Sequence, residues 1–370
     1  FMIKDITIII PTHERHNVLL RSMDYFSRFN ASILIVDSSL SPIGMNLSSE
    51  KIKYIHCPNL FFGDKIHFAI KNVKTPYTCL CADDDFLSEN GLMKGLEFLK
   101  SHLDYSSVQG HYIQFMFIKS ESILRPIYEK YIGLSIDSDL INQRIEISPE
   151  IAQVYALHRT DILERCLRTT IGLKEISLVE ICISLVAVCY GKHTILPIFW
   201  SARDGVQHST YIDNTSTDRF TGIKIQGIEK SENIVIGDWE LYLNTSDGLQ
   251  FKKNFIKVVS DIVFTPYYSD RLFNLFFIKL LEINRKKIEQ FNGNNSRLIM
   301  RSRVIIKELI PSFLIREIRK ITKQHMIIKS KKLCNKYKTF DGYPWSSSLA
   351  MKDWKKIKKV ICNHIELLES

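Results

Sequence analysis

Three consecutive aspartates, Asp83, Asp84 and Asp85, end an apolar segment and carry the most evident chemistry of the sequence. Residues i and i+2 of an extended chain point the same way, so Asp83 and Asp85 can present adjacent carboxylates at the end of a strand. Adjacent carboxylates repel each other, and a divalent cation relieves that repulsion. Hard oxygen ligands favour Mg²⁺ or Mn²⁺, so the pattern predicts a metal site. An acidic turn that only caps a helix is the alternative interpretation.

The elements that must position these aspartates alternate between strand and helix patterns. Apolar β-branched runs alternate with segments of helical period, which is typical of an α/β fold with a doubly wound, mostly parallel sheet. In such a fold, ligands bind at the carboxyl ends of the strands. Strands are predicted at 6–10, 32–37, 51–56, 77–82, 108–119, 152–158 and 193–199, and helices at 16–29, 64–73, 90–102, 160–170 and 176–190.

Charge divides the chain into two unequal parts. The net charge is +10, yet residues 246–370 contain 26 basic against 11 acidic residues, whereas residues 1–245 are acidic by a net of five. This asymmetry predicts two domains, a catalytic domain over 1–245 and a basic, mainly helical domain over 246–370. The basic domain is expected either to contact anionic membrane lipids or to pack on the catalytic domain with a solvated basic face.

Composition excludes several classes of protein. No run approaches the ~18 apolar residues of a membrane-spanning helix, and the chain opens directly on a strand-like segment, so we expect neither a membrane span nor a signal peptide. The eight cysteines have no framework or zinc-ligand spacing, which favours free thiols in a reducing compartment. The expected location is therefore cytoplasmic, with peripheral association at the inner face of the membrane as an extension.

Further motifs accompany the aspartates in a definite order. A Pro-Thr-His-Glu-Arg segment at 11–15 follows the first strand, Val36-Asp37-Ser38-Ser39 follows the second, and Lys74-Thr75-Pro76-Tyr77 enters the aspartate strand. Together they resemble the GT-A glycosyltransferases, in particular the inverting family 2-like group with a PTxxR opening and a DDD form of the DxD motif. The resemblance covers roughly residues 5–205. One departure is the Asp-Ser-Ser after the second strand, where that family often has Asp-Gly-Ser.

The resemblance implies a nucleotide-sugar site at these motifs. A guanidinium offers forked donors to phosphate or carbonyl oxygens, which suits a residue near the base or phosphates. Lys65 is assigned to the donor site, with an ordinary surface lysine as the alternative. The implied donor-binding residues are Pro11, Thr12, Arg15, Asp37, Lys65, Asp83 and Arg203, and the implied metal ligands are Asp83, Asp85 and His208.

An inverting transferase also needs a general base for the acceptor hydroxyl. Glu180 is our candidate because it interrupts an otherwise apolar helix, where a carboxylate is costly to bury. Glu175 is the second choice, and a place for Glu180 on a polar helix face is the alternative. By the resemblance, Arg203 would stabilise the leaving phosphate, and the polar segment after it would form a lid.

The sequence thus predicts an inverting, metal-dependent glycosyltransferase acting on a surface-polysaccharide or lipid-linked glycan acceptor. A UDP-sugar is the first choice of donor and a CMP-sugar the second, with Mn²⁺ or Mg²⁺ as cofactor. A nucleotidyltransferase on the same type of sheet is the alternative enzyme, although residues 11–15 lack the glycines of a phosphate-binding loop. A nucleic-acid-binding protein is the alternative of another class, but no RNA- or DNA-binding module is recognisable and we expect no nucleic-acid partner.

Overall fold

The computed structural model describes residues 3–118, 121–126, 134–150, 153–174, 176–204, 245–293 and 348–364, and these residues form one mixed sheet with helices on both faces. The order of the strands across the sheet is β3-β2-β1-β4-β8-β6-β9-β5, with β7 paired to β6. The strands are β1 Ile6–Thr12, β2 Ser32–Asp37, β3 Ile52–His56, β4 Tyr77–Leu80, β5 Phe86–Leu87, β6 Tyr105–Ile118, β7 Glu121–Pro126, β8 Leu157–Arg159 and β9 Lys192–Asp204.

The pairing of the strands is parallel in the first half and mixed in the second. Strand β1 lies between β2 and β4, parallel to both, and β2 is parallel to β3. Strand β6 is parallel to β9, while β8 runs antiparallel to β4 and β6, and β5 runs antiparallel to β9. The predicted α/β class with a mainly parallel sheet is confirmed, and the short antiparallel strands are an addition that the sequence pattern did not reveal.

The described helices flank this sheet and include three from the basic C-terminal region, as predicted. The helices are α1 His16–Phe26, α2 Phe62–Ile70, α3 Glu89–Ser101, α4 Ile141–Ile147, α5 Thr160–Arg168, α6 Ile176–Tyr190, α7 Ser246–Val263, α8 Pro266–Gly293 and α9 Ser348–Asn363, with 3₁₀ turns at Ile3–Asp5 and Ser148–Glu150. Among the described residues, no helix is long and apolar enough to cross a membrane.

Two apolar cores lie on opposite faces of the sheet. In β1, Ile8 and Ile10 contribute to one core while Ile9 contributes to the other, because successive strand residues point to opposite faces. Helices α1, α3 and α9 cover the first core, and α2, α5, α6, α7 and α8 cover the second. Burial on both faces explains why β1 and β2 read as continuous apolar runs.

The middle of the chain departs most from the predicted elements. The strand expected at 152–158 is only Leu157–Arg159, and β9 extends to Asp204 instead of ending at 199. Strand β7 was not predicted. Short antiparallel strands such as β8 are stabilised by their partners on either side, so their own residues carry little periodic signal.

The C-terminal helices share both cores with the sheet. Helix α9 buries Trp354 and Ile357 against the first core, and α7 buries Phe251 and Phe255 in the second. The division of the chain at residue 245 stays a prediction. The outer face of α9 carries exposed lysines at positions 352, 355, 356, 358 and 359.

Asp353 is the polar group that joins α9 to the sheet domain. It is fully buried and accepts hydrogen bonds from Ser88 Oγ at 2.5 Å, from the Asn90 backbone N–H at 3.1 Å and from Asn90 Nδ2 at 2.9 Å. Ser88 in turn caps α3 by accepting from the Gly91 N–H.

Asp353→Ala should lower the free energy of unfolding by about 3 kcal/mol, because buried donors on Ser88 and Asn90 lose their acceptor. Urea denaturation measures the change. The matched control is Asp261→Ala in α7, whose side chain is 65% exposed and which should change stability by less than about 0.5 kcal/mol. Equal midpoints for the two variants would contradict the anchoring role.

Candidate active site

The carboxyl ends of β1, β2 and β4 meet at one edge of the sheet and bring the predicted motifs together. Asp83 is fully buried there, and its Oδ2 accepts a hydrogen bond from Thr12 Oγ1 at 2.6 Å. Arg15 donates to Asp83 Oδ1 and, at 2.9 Å, to Asp84 Oδ2. Burial alone would lower the pKa of Arg15, but Asp84 and Asp83 together raise it. The ion pairs of Arg15 with Asp83 and Asp84 therefore connect the loop after β1 to the aspartates.

Asp85 is also buried and is held by different donors. Its Oδ1 accepts the backbone N–H of Asp204 at 2.8 Å, and its Oδ2 accepts the hydroxyl of Tyr155 at 2.6 Å. Burial and the neighbouring charge of Asp84 raise the pKa of Asp85, against the opposing effect of Arg203. Burial likewise raises the pKa of Asp83, while the positive charge of Arg15 lowers it.

The carboxylate oxygens of Asp83 and Asp85 are the atoms that would have to bind a metal ion. Both oxygens of Asp83 and both of Asp85 accept hydrogen bonds from protein groups. Within the described residues, no group of three or more His, Cys, Asp or Glu side chains is arranged to hold a metal ion. His208, the third predicted ligand, lies outside the described residues. As arranged, all four of these oxygens are engaged by protein donors, and the metal role of Asp83 and Asp85 stays a prediction.

A second ion pair ties the end of β9 to helix α1. Arg21 and Asp204 have fully buried side chains joined by a 2.9 Å bond between Nη2 and Oδ2. Arg21 also donates to the backbone carbonyl of Asp84 at 3.0 Å. Sequence reasoning missed both residues, because neither an arginine inside a helix nor an aspartate after a strand carries a motif of its own.

Asp37, at the end of β2, is buried beneath the loop after β1. Its Oδ1 accepts the Ser39 N–H at 2.8 Å, and its Oδ2 accepts Tyr54 OH at 2.6 Å and faces His16 Nε2 at 2.7 Å. Burial tends to raise the pKa of Asp37, but the bonds from Ser39, Tyr54 and His16 lower it overall. The donor-binding role of Asp37 that the family resemblance implies stays a prediction.

Lys65 joins the ends of β1 and β2 from helix α2. Its side chain is buried, and Nζ donates to the Thr12 carbonyl at 2.7 Å and to Ser38 Oγ at 2.9 Å. Burial lowers the pKa of Lys65 to about 8. The alternative of an ordinary surface lysine is therefore wrong. Pro11 lies half-buried in β1 next to Thr12.

Glu180 and Arg203 lie on the other side of Asp85. Glu180, on α6, is exposed to solvent, yet desolvation by surrounding protein raises its pKa while the charge of Arg203 opposes that shift. The charge of Arg203 acts on both Glu180 and Asp85, so the three groups share one electrostatic neighbourhood. Glu175, the second choice of base, lies outside the described residues.

Tyr155 contacts both Asp85 and Arg203. Its role was not predicted from the sequence. Its hydroxyl donates to Asp85, its ring lies 4.1 Å from the guanidinium carbon of Arg203, and its carbonyl accepts Trp200 Nε1 at 2.7 Å. The segment around it reads as an ordinary apolar strand. No signal in the sequence distinguishes it from a core aromatic residue.

Comparison with known proteins gives only distant likenesses. No protein-family model matches the chain, and no curated protein matches it. Among solved structures, that of S. aureus TarS is 12% identical with a TM-score of 0.43, and covers 74% of this chain and 43% of its own. TarS 1–349 in complex with UDP-GlcNAc is 11% identical with a TM-score of 0.46, and covers 78% and 76%. TarS 1–349 in complex with UDP is 12% identical with a TM-score of 0.38, and covers 54% and 60%. This chain thus spans less than half of the full TarS chain. Structural likenesses at this level carry no argument about the activity of this chain.

The buried ammonium of Lys65 should titrate well below other lysines. Because burial disfavours its charged form, the folded pKa is lower than the unfolded one, and the contribution of Lys65 to stability increases as pH rises between about 8 and 10.5. NMR of a lysine-labelled sample should detect one Nζ titration near pH 8. That signal should vanish in Lys65→Met and persist in Lys94→Met, where the side chain is 49% exposed. A sample in which every lysine titrates above pH 9.5 would contradict the assignment.

Proposed function

We propose that this protein is an inverting glycosyltransferase that uses a nucleotide-sugar donor. The observation that supports this most directly is the convergence of two charged groups on one aspartate cluster. Arg15 and Thr12 bind Asp83 on one side, and Arg203 lies near Asp85 and Glu180 on the other. A cationic pocket beside an exposed carboxylate suits a diphosphate leaving group and an incoming hydroxyl.

The donor nucleotide is assigned to the carboxyl edge of β1 and β2. Arg15 supplies a guanidinium for phosphate or base oxygens, with Thr12, Pro11 and Lys65 forming the floor of the pocket. Asp83 is placed at the ribose and Asp37 beneath the base. UDP is the preferred nucleotide of the donor and CMP the second choice.

The transfer step follows from Glu180 and Arg203. Glu180 removes the proton of the acceptor hydroxyl, and the hydroxyl oxygen forms a bond to the anomeric carbon. The bond from that carbon to the diphosphate oxygen breaks at the same time, and its electron pair leaves with the nucleoside diphosphate. Arg203 stabilises that negative charge. A raised pKa makes Glu180 a stronger base than a solvated carboxylate.

The proposed acceptor is a surface-polysaccharide or lipid-linked glycan. The exposed lysines of α9 provide a basic face suited to anionic lipid headgroups, each residue adding about 1 kcal/mol to the attraction near such a surface. A peripheral position at the inner face of the cell membrane would bring the enzyme to that acceptor. A requirement for Mn²⁺ or Mg²⁺ remains part of the proposal, and no step above is routed through the metal.

Glu180→Gln should abolish sugar transfer by at least 10³-fold while leaving donor affinity within about twofold, since the amide cannot accept the acceptor proton. Transfer is measured as nucleoside diphosphate release in the presence of an acceptor extract, and affinity by calorimetry. Glu146→Gln, an exposed position on α4, is the control and should retain full transfer. Transfer by Glu180→Gln near the wild-type rate would remove Glu180 from the mechanism.

Arg15→Met should weaken nucleoside diphosphate binding about tenfold to a hundredfold, the usual loss for a charge-assisted hydrogen bond. The assay is a thermal-shift titration of UDP, CMP and their sugars, with and without Mn²⁺. Arg28→Met, at an exposed position just after α1, should bind like the wild type. If no nucleotide stabilises the wild-type protein, the glycosyltransferase proposal fails.

A further inference from the structure

The guanidinium of Arg203 is held between the aromatic rings of Tyr112 and Tyr155, and these two rings are called the tyrosine clamp. Its central carbon lies 4.3 Å from the ring centroid of Tyr112 and 4.1 Å from that of Tyr155. The rings come from separate parts of the chain, since Tyr112 lies in β6 and Tyr155 in the turn before β8. A cation between two rings gains attraction from both faces and loses freedom to rotate.

The two tyrosines are themselves fixed by the sheet. Tyr112 pairs in register with Ser201 of β9, two residues before Arg203. Tyr155 is anchored through its hydroxyl to Asp85 and through its carbonyl to the buried indole of Trp200. The clamp therefore has rigid walls, and the long side chain of Arg203 is ordered before any ligand arrives.

Arg203 has an unused hydrogen-bond donor within the described part of the protein. Among the described residues it forms no salt bridge, and its Nε is buried with no hydrogen-bond partner. A buried, unpartnered guanidinium donor is costly and implies a ligand that accepts from it. Burial alone would lower the pKa of Arg203, but its electrostatic interactions with Tyr155, Tyr112, Asp85 and Glu180 raise it overall.

We propose that Tyr112 and Tyr155 are positioning residues that hold Arg203 as the binding group for a diphosphate anion. The inference rests on the proposed function for the identity of the anion, the nucleoside diphosphate that leaves during transfer. Tyr112 contributes its ring to Arg203. Tyr155 contributes its ring to Arg203 and, separately, its hydroxyl to Asp85, so it links the anion site to the aspartate cluster.

The geometry has a spectroscopic test that does not depend on activity. Protons on the side chain of an arginine between two aromatic faces are shifted upfield by the ring currents. In the wild-type protein, one arginine side chain should have strongly upfield-shifted Cδ and Nε protons. The shift should persist in Tyr112→Phe, which keeps the ring, and diminish in Tyr112→Leu, which removes it. Absence of such an arginine in the wild type would overturn the clamp.

The positioning role is tested with inorganic pyrophosphate as the probe. Tyr112→Leu should bind pyrophosphate about tenfold more weakly than the wild type, and Tyr112→Phe within twofold. Where transfer is measurable, Tyr112→Leu should lose kcat by at least tenfold with a smaller change in KM for the acceptor. Tyr155→Phe should retain pyrophosphate binding, because the ring remains and only the hydroxyl contacts with Asp85 and the Ala82 N–H are lost.

The possible outcomes separate this inference from the proposed function. If Tyr112→Leu is folded by circular dichroism, loses the ring-current shift and still binds pyrophosphate like the wild type, the positioning role is wrong. If pyrophosphate binding follows the clamp but no nucleotide sugar is turned over by the wild type, the anion site stands and the glycosyltransferase proposal fails. Equal losses in Tyr112→Phe and Tyr112→Leu would indicate a role of the hydroxyl and overturn the ring argument.

Discussion

The burial of negative charge at the carboxyl edge of the sheet is the constraint on which the rest of this site depends. Asp83, Asp85 and the side chain of Asp204 are almost fully removed from solvent, and Asp84 is largely so. Buried carboxylates are tolerated only when they are paired with positive charge and fully hydrogen-bonded. Arg15 and Arg21, at the start and in the middle of α1, and Arg203, near the end of β9, supply the charge.

This electrostatic requirement connects elements that are far apart in the sequence. Arg21 brings the middle of α1 to the end of β9 through Asp204, a separation of 183 residues. Tyr155 joins the turn before β8 to the aspartate strand, and Arg203 lies against it. Breaking one partner would leave an uncompensated charge, so the cluster acts as a unit in which the loop after β1 and the end of β9 hold each other in place.

The same principle explains the floor of the pocket. Lys65 reaches the ends of β1 and β2, where the Thr12 carbonyl also accepts the Ser38 backbone N–H at 3.2 Å, and adds a charged donor to that pairing. Asp37 collects three donors and fixes His16 at the start of α1. Asp37 is ionised and can only accept hydrogen bonds. The His16 nitrogen that faces it, Nε2, therefore carries the proton of this contact. This edge of the sheet is thus shaped by buried ionic contacts, with Arg15 and His16 partly exposed beside them.

The sequence by itself determined the parallel half of the sheet and the place of the site. Continuous apolar strands 6–10 and 32–37 with helices between them can only bury both faces in a wound sheet, and the polar motifs at their ends must then meet at one edge. Asp83 and Asp85 were accordingly predicted as site residues from their spacing, and Arg15 and Lys65 from the family resemblance. Glu180 was predicted because one carboxylate in an apolar helix stands out.

Only the tertiary structure decided which partners those residues take. The pairing of Arg21 with Asp204, the anchoring of α9 by Asp353 and the stacking of Arg203 between Tyr112 and Tyr155 join residues with no common period or motif. Short strands such as β8 also owe their structure to their neighbours in the sheet. The physical reason is that periodicity records which face of an element is buried, whereas the pairing of buried charges depends on distances in space that local sequence does not encode.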